Sequence, residues 1–313
     1  MIDGAPHIPV LLNEVISGIS PKDGGIYVDG TFGAGGYTRA VLTAANCKVI
    51  AIDRDPDAVR DGQKLCREFE GRLTLLHGEF GDMVDLVRQT GTDAVDGVML
   101  DIGVSSMQVD QAERGFSFKK DGFLDMRMSR QGLSAADVVN TFSQEELANI
   151  IYLYGEERFS RRIASAIVAR RKEKAFERTL DFANVVRSAI PHKGNDGTDP
   201  ATRTFQALRI YVNDELEQLR SGLNGAEELL KTGGRMAVVS FHSLEDRIVK
   251  NIFRTSERPC ICPPEFPVCV CGRVSKGKVI TRKPIVPGKE ELEENSRSKS
   301  AKLRVFERRI TEG

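Results

Sequence analysis

The chain has 313 residues, with 45 Lys and Arg against 45 Asp and Glu, so its formal net charge is zero. Charged residues make up 29% and hydrophobic ones 40%, which excludes a globally disordered chain, since disorder pairs low hydrophobicity with high net charge. No stretch approaches the ~20 apolar residues of a membrane span, and Met1-Ile2-Asp3-Gly4-Ala5-Pro6 has neither the basic nor the apolar region of a secretory signal. The length suits two domains.

The first hundred residues alternate short apolar strands with helical patterns. Strands are predicted at 25–29, 48–53, 72–76 and 95–101, with helices near 36–45, 57–70 and 82–89. Near-continuous apolar strands separated by helices imply a parallel sheet covered on both faces, the doubly wound α/β class. That class binds ligands at the carboxyl ends of its strands.

The next convincing strand is 234–240, about 130 residues further on, where a single crossover needs only a dozen or so. The intervening composition is helical. Ser143-Gln144-Glu145-Glu146 has the form of a capping box, and Phe159, Ile163 and Ile167 mark one helix face within 157–174. Phe205, Leu208, Val212, Leu216, Leu219 and Leu223 predict one long amphipathic helix. Asn195–Pro200 reads as a loop. A helix near 244–254 and strands at 278–281 and 303–307 close the chain. The expected organisation is a first α/β part at 1–110, an inserted helical domain at 111–212 and a second α/β part at 213–313.

Two local features offset the neutral total. From Arg254 to Gly313 there are fourteen basic residues against eight acidic ones, and Glu156–Arg178 has eight against four. Each run alone is ordinary solvated surface; two on an otherwise acidic chain hint at a polyanion partner. Cys260, Cys262, Cys269 and Cys271 form C-x-C-x6-C-x-C, while Cys47 and Cys66 stand apart. A chain without a secretory signal is expected in the reducing cytoplasm, where a disulfide framework is disfavoured. The spacing is tighter than the usual C-x2-C pairs of zinc sites, so zinc and unligated thiols both stay open and no metal is assigned.

The chemistry concentrates at strand ends. Asp29-Gly30-Thr31-Phe32-Gly33-Ala34-Gly35-Gly36 follows the first strand. It fails the Walker pattern, because Gly36-Tyr37 stands where Lys-Ser/Thr is required, and the dinucleotide fingerprint, because Thr38 replaces the last Gly. What remains lets backbone approach a ligand, with Asp29 suited to an ammonium or sulfonium cation. Asp53 ends the second strand, twenty residues beyond Gly33, where an acid accepts ribose hydroxyls. A nucleoside with a cationic tail and no pyrophosphate is S-adenosylmethionine; NAD is the alternative. Leu100-Asp101-Ile102-Gly103-Val104-Ser105-Ser106-Met107-Gln108 ends the fourth strand. An exocyclic base amine is a poor nucleophile, and Asp101 could accept its N–H and localise the lone pair; a helix cap is the plainer role. Phe116 and Phe118 beside Arg114 and Arg127 suit base stacking and phosphate contact, or simply a core with a salt bridge. His242, Glu245, Asp246 and Arg247 follow the fifth strand to the same edge.

With these residues assembled, the chain resembles the MraW/RsmH family. The resemblance rests on His7-Ile8-Pro9-Val10-Leu11-Leu12, the glycine segment, Ala51-Ile52-Asp53-Arg54-Asp55, Leu100–Ser106, Glu113–Phe118, Leu124–Met128, Tyr154-Gly155-Glu156-Glu157, Thr202–Ala207 and Ser240–Arg247. It implies a class I methyltransferase fold with an inserted helical domain, S-adenosylmethionine as donor, and N4-methylation of one cytosine in the decoding region of 16S ribosomal RNA within the small ribosomal subunit. Carried over by position, it implies a donor site of Gly33, Gly35, Gly36, Tyr37, Asp53, Phe80, Asp101 and Gln108, with Asp101, Ser105 and Ser106 at the chemistry. Tyr37 departs from the family's usual Gly-Gly-His, which leaves a backbone contact intact and a side-chain role in question. The Asp/Asn/Ser-Pro-Pro-Tyr/Phe motif of many amino-methyltransferases is missing. Pro259-Cys260 resembles the Pro-Cys of cytosine C5 methyltransferases but lies far from the fourth strand, and some family members lack the cysteine cluster, so the cysteines are given no catalytic part. Nothing in the sequence calls for a membrane or an obligate protein partner. A non-catalytic ribosome-assembly factor is the competing class.

Overall fold

The computed structural model describes residues 9–191, 199–263, 265–266 and 268–309. Met1–Pro6, His7-Ile8 of the first motif and Asn195–Thr198 of the expected loop lie outside the described residues.

The elements run α1 (Leu12–Ile19), β1 (Ile26–Asp29), α2 (Gly36–Ala44), β2 (Lys48–Asp53), α3 (Pro56–Glu68), β3 (Leu73–His77), α4 (Met83–Gln89) and β4 (Val95–Asp101). Then come α5 (Ser106–Asp110), α6 (Ala135–Thr141), α7 (Gln144–Gly155), α8 (Ser160–Arg171), α9 (Thr179–Ala189) and α10 (Thr202–Val212). The chain finishes with α11 (Glu215–Leu229), β5 (Leu230–Ser240), α12 (Ser243–Glu257), β6 (Gly277–Val279), α13 (Lys289–Glu294) and β7 (Lys302–Arg308). Two compact units result, one from Met1–Gly103 with Leu216–Gly313, the other Val104–Glu215.

In the first unit the seven strands lie in the order β3-β2-β1-β4-β5-β7-β6. Neighbouring pairs are parallel from β3 to β5, whereas β7 runs antiparallel to both β5 and β6. Side chains alternate across the pleat with period two. Tyr27, Val49, Ala51, Met99, Ala237 and Val239 therefore join α1, α2 and α3 in one core. Their neighbours Val28, Ile50, Ile52, Leu100, Met236 and Val238 join α4, α11 and α12 in the other. Strands buried on both faces must be apolar throughout, which is why they read as continuous runs. From β1 the chain winds outward through β2 and β3, then returns to place β4 on the other side of β1. The carboxyl ends of β1 and β4 thus flank the topological switch point, where this architecture opens a ligand crevice.

The second unit is helical around Val138, Leu147, Ile163, Ile167, Phe182 and Phe205. Ser143 accepts from the Glu146 backbone N–H while Glu146 accepts from that of Ser143, closing the expected capping box on α7. The long helix expected through Phe205–Leu223 is two helices. Asp214 between them has a left-handed φ of 48°, a conformation that a helix cannot pass through and that periodicity does not register. The break is held by buried Asn213, whose Oδ1 accepts from Met128 N at 2.8 Å and whose Nδ2 donates to Met126 O at 2.7 Å and Arg209 O at 2.9 Å. Asn213→Ala strands these backbone groups away from water, at a cost of about 1–3 kcal/mol for each one left unmet. The variant is expected to unfold at clearly lower urea concentration; an unchanged midpoint would show that water satisfies the loop as well.

Candidate active site

Three acids end the first, second and fourth strands of the first unit, and each is held differently. Asp29 at the end of β1 is fully buried. Its Oδ2 accepts from Thr38 Oγ1 at 2.7 Å and its Oδ1 from Thr31 N at 3.2 Å. Burial pushes its carboxyl up to about 6 against those hydrogen bonds, with neighbouring Asp53 adding to the rise. Asp53 at the end of β2 accepts from Gly33 N at 2.7 Å and Asp55 N at 2.8 Å, which ties the glycine turn to the sheet. Burial raises its pKa too, and the two N–H bonds oppose the rise. A carboxylate has about four lone-pair sites, so Asp53 keeps acceptor capacity for a ligand.

Asp101 at the end of β4 is different. Its backbone N–H donates to Thr31 Oγ1 at 2.6 Å, which fixes the strand end against the turn. Its Oδ1 is buried and has no hydrogen-bond partner among the described residues. Burial, then the charges of Asp29 and Glu245, push its carboxyl up to about 8. An unpartnered buried carboxyl oxygen is costly, and a carboxyl pushed this far up at the end of a strand is a candidate functional group.

The glycine turn is shaped for close approach. Gly33 and Gly35 have φ of 53° and 77°, a region other residues enter only with strain. A Cβ on Gly36 would sit 2.2 Å from Pro9 Cγ, so Pro9 closes over the start of α2. No side chain caps α2, whose N-cap is Gly35. Its first N–H groups face the crevice end of the sheet, where they complement a carboxylate or other anionic group. The Tyr37 ring is buried and its hydroxyl donates to Val10 O. Burial and nearby Asp101 keep that hydroxyl protonated far above its usual range. The tyrosine side chain thus serves the fold, which leaves its backbone for a ligand. Phe80 lies beyond β3, its ring where a Cβ on Gly222 would come within 2.4 Å.

After β5, His242 caps α12, and Glu245 Oε2 accepts from Phe241 N at 2.7 Å and His242 N at 3.2 Å. His242 Nε2 also lies 3.0 Å from Glu245 Oε1, at an angle too poor for a hydrogen bond. Asp246 on α12 pairs with Arg304 on β7 at 2.7 Å, a bond that engages both residues in packing the helix on the sheet. Two residues that the sequence placed at this edge have roles it did not reveal. Thr31 holds Asp101, and its signal was its place in the turn two residues after Asp29. Glu245 acts on Asp101 through charge, which no spacing announces.

Ser105 and Gln108 belong to the helical unit, where they form the capping box of α5. Ser105 N donates to Gln108 Oε1 at 3.0 Å and Gln108 N to Ser105 Oγ at 3.3 Å. The Ser106 side chain lies outside the described atoms. The interleaved aromatic and basic residues are internal to this unit: the Phe118 ring lies 4.7 Å from that of Phe205, Arg187 stacks over Phe118, and Arg127 pairs with Asp125 at 2.7 Å. Phe116 and Phe118 pack, partly buried, against the core of this unit, while Arg127 is held by its ion pair. Arg161, Arg162, Lys172 and Lys174 of the basic stretch are exposed, as are Arg273, Lys278, Arg282 and Lys283 near the C-terminus.

The observations fit S-adenosylmethionine. An orphaned carboxyl oxygen and two further acids at neighbouring strand ends suit a sulfonium cation and ribose hydroxyls, and the left-handed φ of Gly33 and Gly35 folds the turn tightly beside them. With the strand order β3-β2-β1-β4-β5-β7-β6, this site defines a class I, S-adenosylmethionine-dependent methyltransferase. The chain belongs to the MraW methylase family, whose model matches residues 4–309. A relative named Ribosomal RNA small subunit methyltransferase H, from Parvibaculum lavamentivorans, is 56% identical over 309 residues, covering 97% of this chain and 90% of that one. A protein of the same name from Paramagnetospirillum magneticum is 56% identical, covering 97% and 96%. Another from Carboxydothermus hydrogenoformans is 52% identical, covering 96% and 97%.

The raised acids make stability depend on pH. Asp101 in the folded chain still holds a proton that the unfolded chain releases near its ordinary 3.8. Stability is therefore lost as pH climbs from about 4 to about 8, and levels off above that. Asp101→Asn removes the penalty. Its melting temperature should exceed wild type at about pH 8.5 and match it near pH 4; equal offsets at both pH values would place the raised acid elsewhere.

Proposed function

We propose that the chain methylates N4 of a cytidine in the decoding region of 16S ribosomal RNA, acting on the small ribosomal subunit in the cytoplasm by direct in-line transfer without a covalent enzyme intermediate. The substrate class follows the names of relatives that match over almost the whole chain. The chemistry rests on one observation, the buried and unpartnered Oδ1 of Asp101 at the switch point.

S-adenosylmethionine, when bound, supplies an electrophilic methyl group on a cationic sulfur. The chain's own residues do the rest. Asp53 takes the ribose hydroxyls through its remaining lone pairs, Phe80 offers an aromatic face to the adenine, and Gly33, Gly35, Gly36 and the Tyr37 backbone line the turn. By the family resemblance Gln108 is assigned to the donor as well. Asp101 has two states, and its ionised form does the work: beside a sulfonium its pKa falls, and the carboxylate accepts an N–H from the exocyclic amine, concentrating the nitrogen lone pair. Ser105 and Ser106, four and five residues after Asp101 in the chain, are assigned to the chemistry by the same resemblance. Positioning supplies most of the acceleration. The helical unit and the exposed basic residues of both units hold the RNA, whose target base must leave its stack at a cost of a few kcal/mol.

Mass-spectrometric mapping of 16S RNA from cells with and without the gene, and from cells carrying Asp101→Asn, tests this reading. N4-methylcytidine at one decoding-region position should vanish without the gene. Methyl transfer by the purified Asp101→Asn protein should fall about 10²-fold or more, the scale on which a positioned acid–base group acts. Unaltered 16S methylation in the deletion would remove the proposed substrate, and near-normal turnover by the variant would remove the role of Asp101.

A further inference from the structure

We propose that Cys260, Cys262, Cys269 and Cys271 bind one structural zinc ion. Their four Sγ atoms all lie within 4.8 Å of one another. Cys269 Sγ is 3.4 Å from Cys260 Sγ, 3.8 Å from Cys262 Sγ and 3.4 Å from Cys271 Sγ. Those separations are far beyond the ~2.05 Å of a disulfide. They approach the edge of a tetrahedron built on Zn–S bonds of about 2.3 Å, which is roughly 3.8 Å.

C-x-C, tighter than the usual spacing, still converges on one point: the chain bends at Cys262 and at Cys271, and the Sγ atoms of both pairs meet within 4.8 Å. The residues between the cysteines point the other way: Ile261 and Val270 are 66% and 72% exposed. Val270 N donates to Cys262 Sγ at 3.3 Å, the kind of outer-shell N–H···S bond that orients and charge-stabilises a metal-bound thiolate.

A second observation concerns what else could order this segment. Between α12 and β6 no helix or strand is formed among the described residues, and Phe266, Val268 and Val274 are also exposed. These apolar side chains contribute nothing to either core of the sheet. A segment that gains so little from burial needs a cross-link to hold four thiols together, and soft thiolates in a tetrahedral set select zinc. Binding converts four thiols to thiolates and releases their protons to solvent, with no change of oxidation state. Four protein ligands leave no open position, so the ion is structural rather than catalytic.

The test uses the full chain purified under reductant from zinc-supplemented medium. Elemental analysis should find about one zinc per chain, and a mercurial that titrates the four thiols should release it. Cobalt(II) added to the stripped wild-type protein should give the visible bands of a tetrahedral thiolate complex together with a near-ultraviolet thiolate-to-metal transition. Cys260→Ser and Cys271→Ser should each weaken zinc binding by more than the roughly 10–100-fold that loss of an outer-shell partner costs, while calorimetric binding of S-adenosylmethionine persists and reports that the sheet is folded. Because the cobalt spectrum is read on wild type, poor folding of a serine variant does not decide the matter. Zinc-free protein whose thiols are alkylated equally fast with and without added zinc would overturn the proposal. So would two disulfides among these cysteines, or iron in place of zinc.

Discussion

The structure depends on burying acids at the one place where the parallel sheet reverses its winding order. Asp29, Asp53 and Asp101 end strands whose central side chains are apolar on both faces, and burial drives all three pKa values upward. Hydrogen bonds offset this for Asp29 and Asp53. Asp101 receives no such compensation at Oδ1 and carries the added repulsion of Asp29 and Glu245. A site of this kind is destabilised until a cation comes beside the carboxyl. The cost is tolerable because Thr31, Thr38 and the N–H groups of Gly33 and Asp55 hold the strand ends rigidly in place.

The strands were legible in the sequence for a physical reason. A parallel sheet covered on both faces leaves no polar alternation, so β1, β2, β4 and β5 stand out as apolar runs, and the acids that end them mark the crevice. The helical break at Asp214 was not legible. Phe205, Val212 and Leu216 keep helical spacing across it, and hydrophobic period carries no information about a single left-handed φ. The antiparallel edge was equally hidden, since a strand's direction follows from its connections and not from its composition. The role of Thr31 required the closure of β1 against β4, a contact seventy residues apart in the chain.

Composition gave the least guidance where charge and sulfur matter most. A net charge of zero conceals exposed basic residues on both units, Arg161 and Arg162 on α8 and Arg273, Lys278, Arg282 and Lys283 near the end of the chain. The arginines nearest the aromatic residues of the helical unit are instead committed internally: Arg127 to Asp125, and Arg114 to the carbonyls of Arg127 and Met128. The cysteine spacing alone left ligation undecided, and it was the convergence of the two C-x-C pairs on one point that gave it geometric content.

Calorimetry of S-adenosylmethionine binding near neutral pH, repeated in buffers of different ionisation enthalpy, measures protons exchanged and so tests the coupling of Asp101 to the donor's charge. With its carboxyl pushed up to about 8, Asp101 is largely protonated in the free chain. A sulfonium beside it should expel that proton, giving net release that disappears in Asp101→Asn and shrinks with the uncharged S-adenosylhomocysteine. No proton exchange, or release that persists undiminished in Asp101→Asn, would contradict the account.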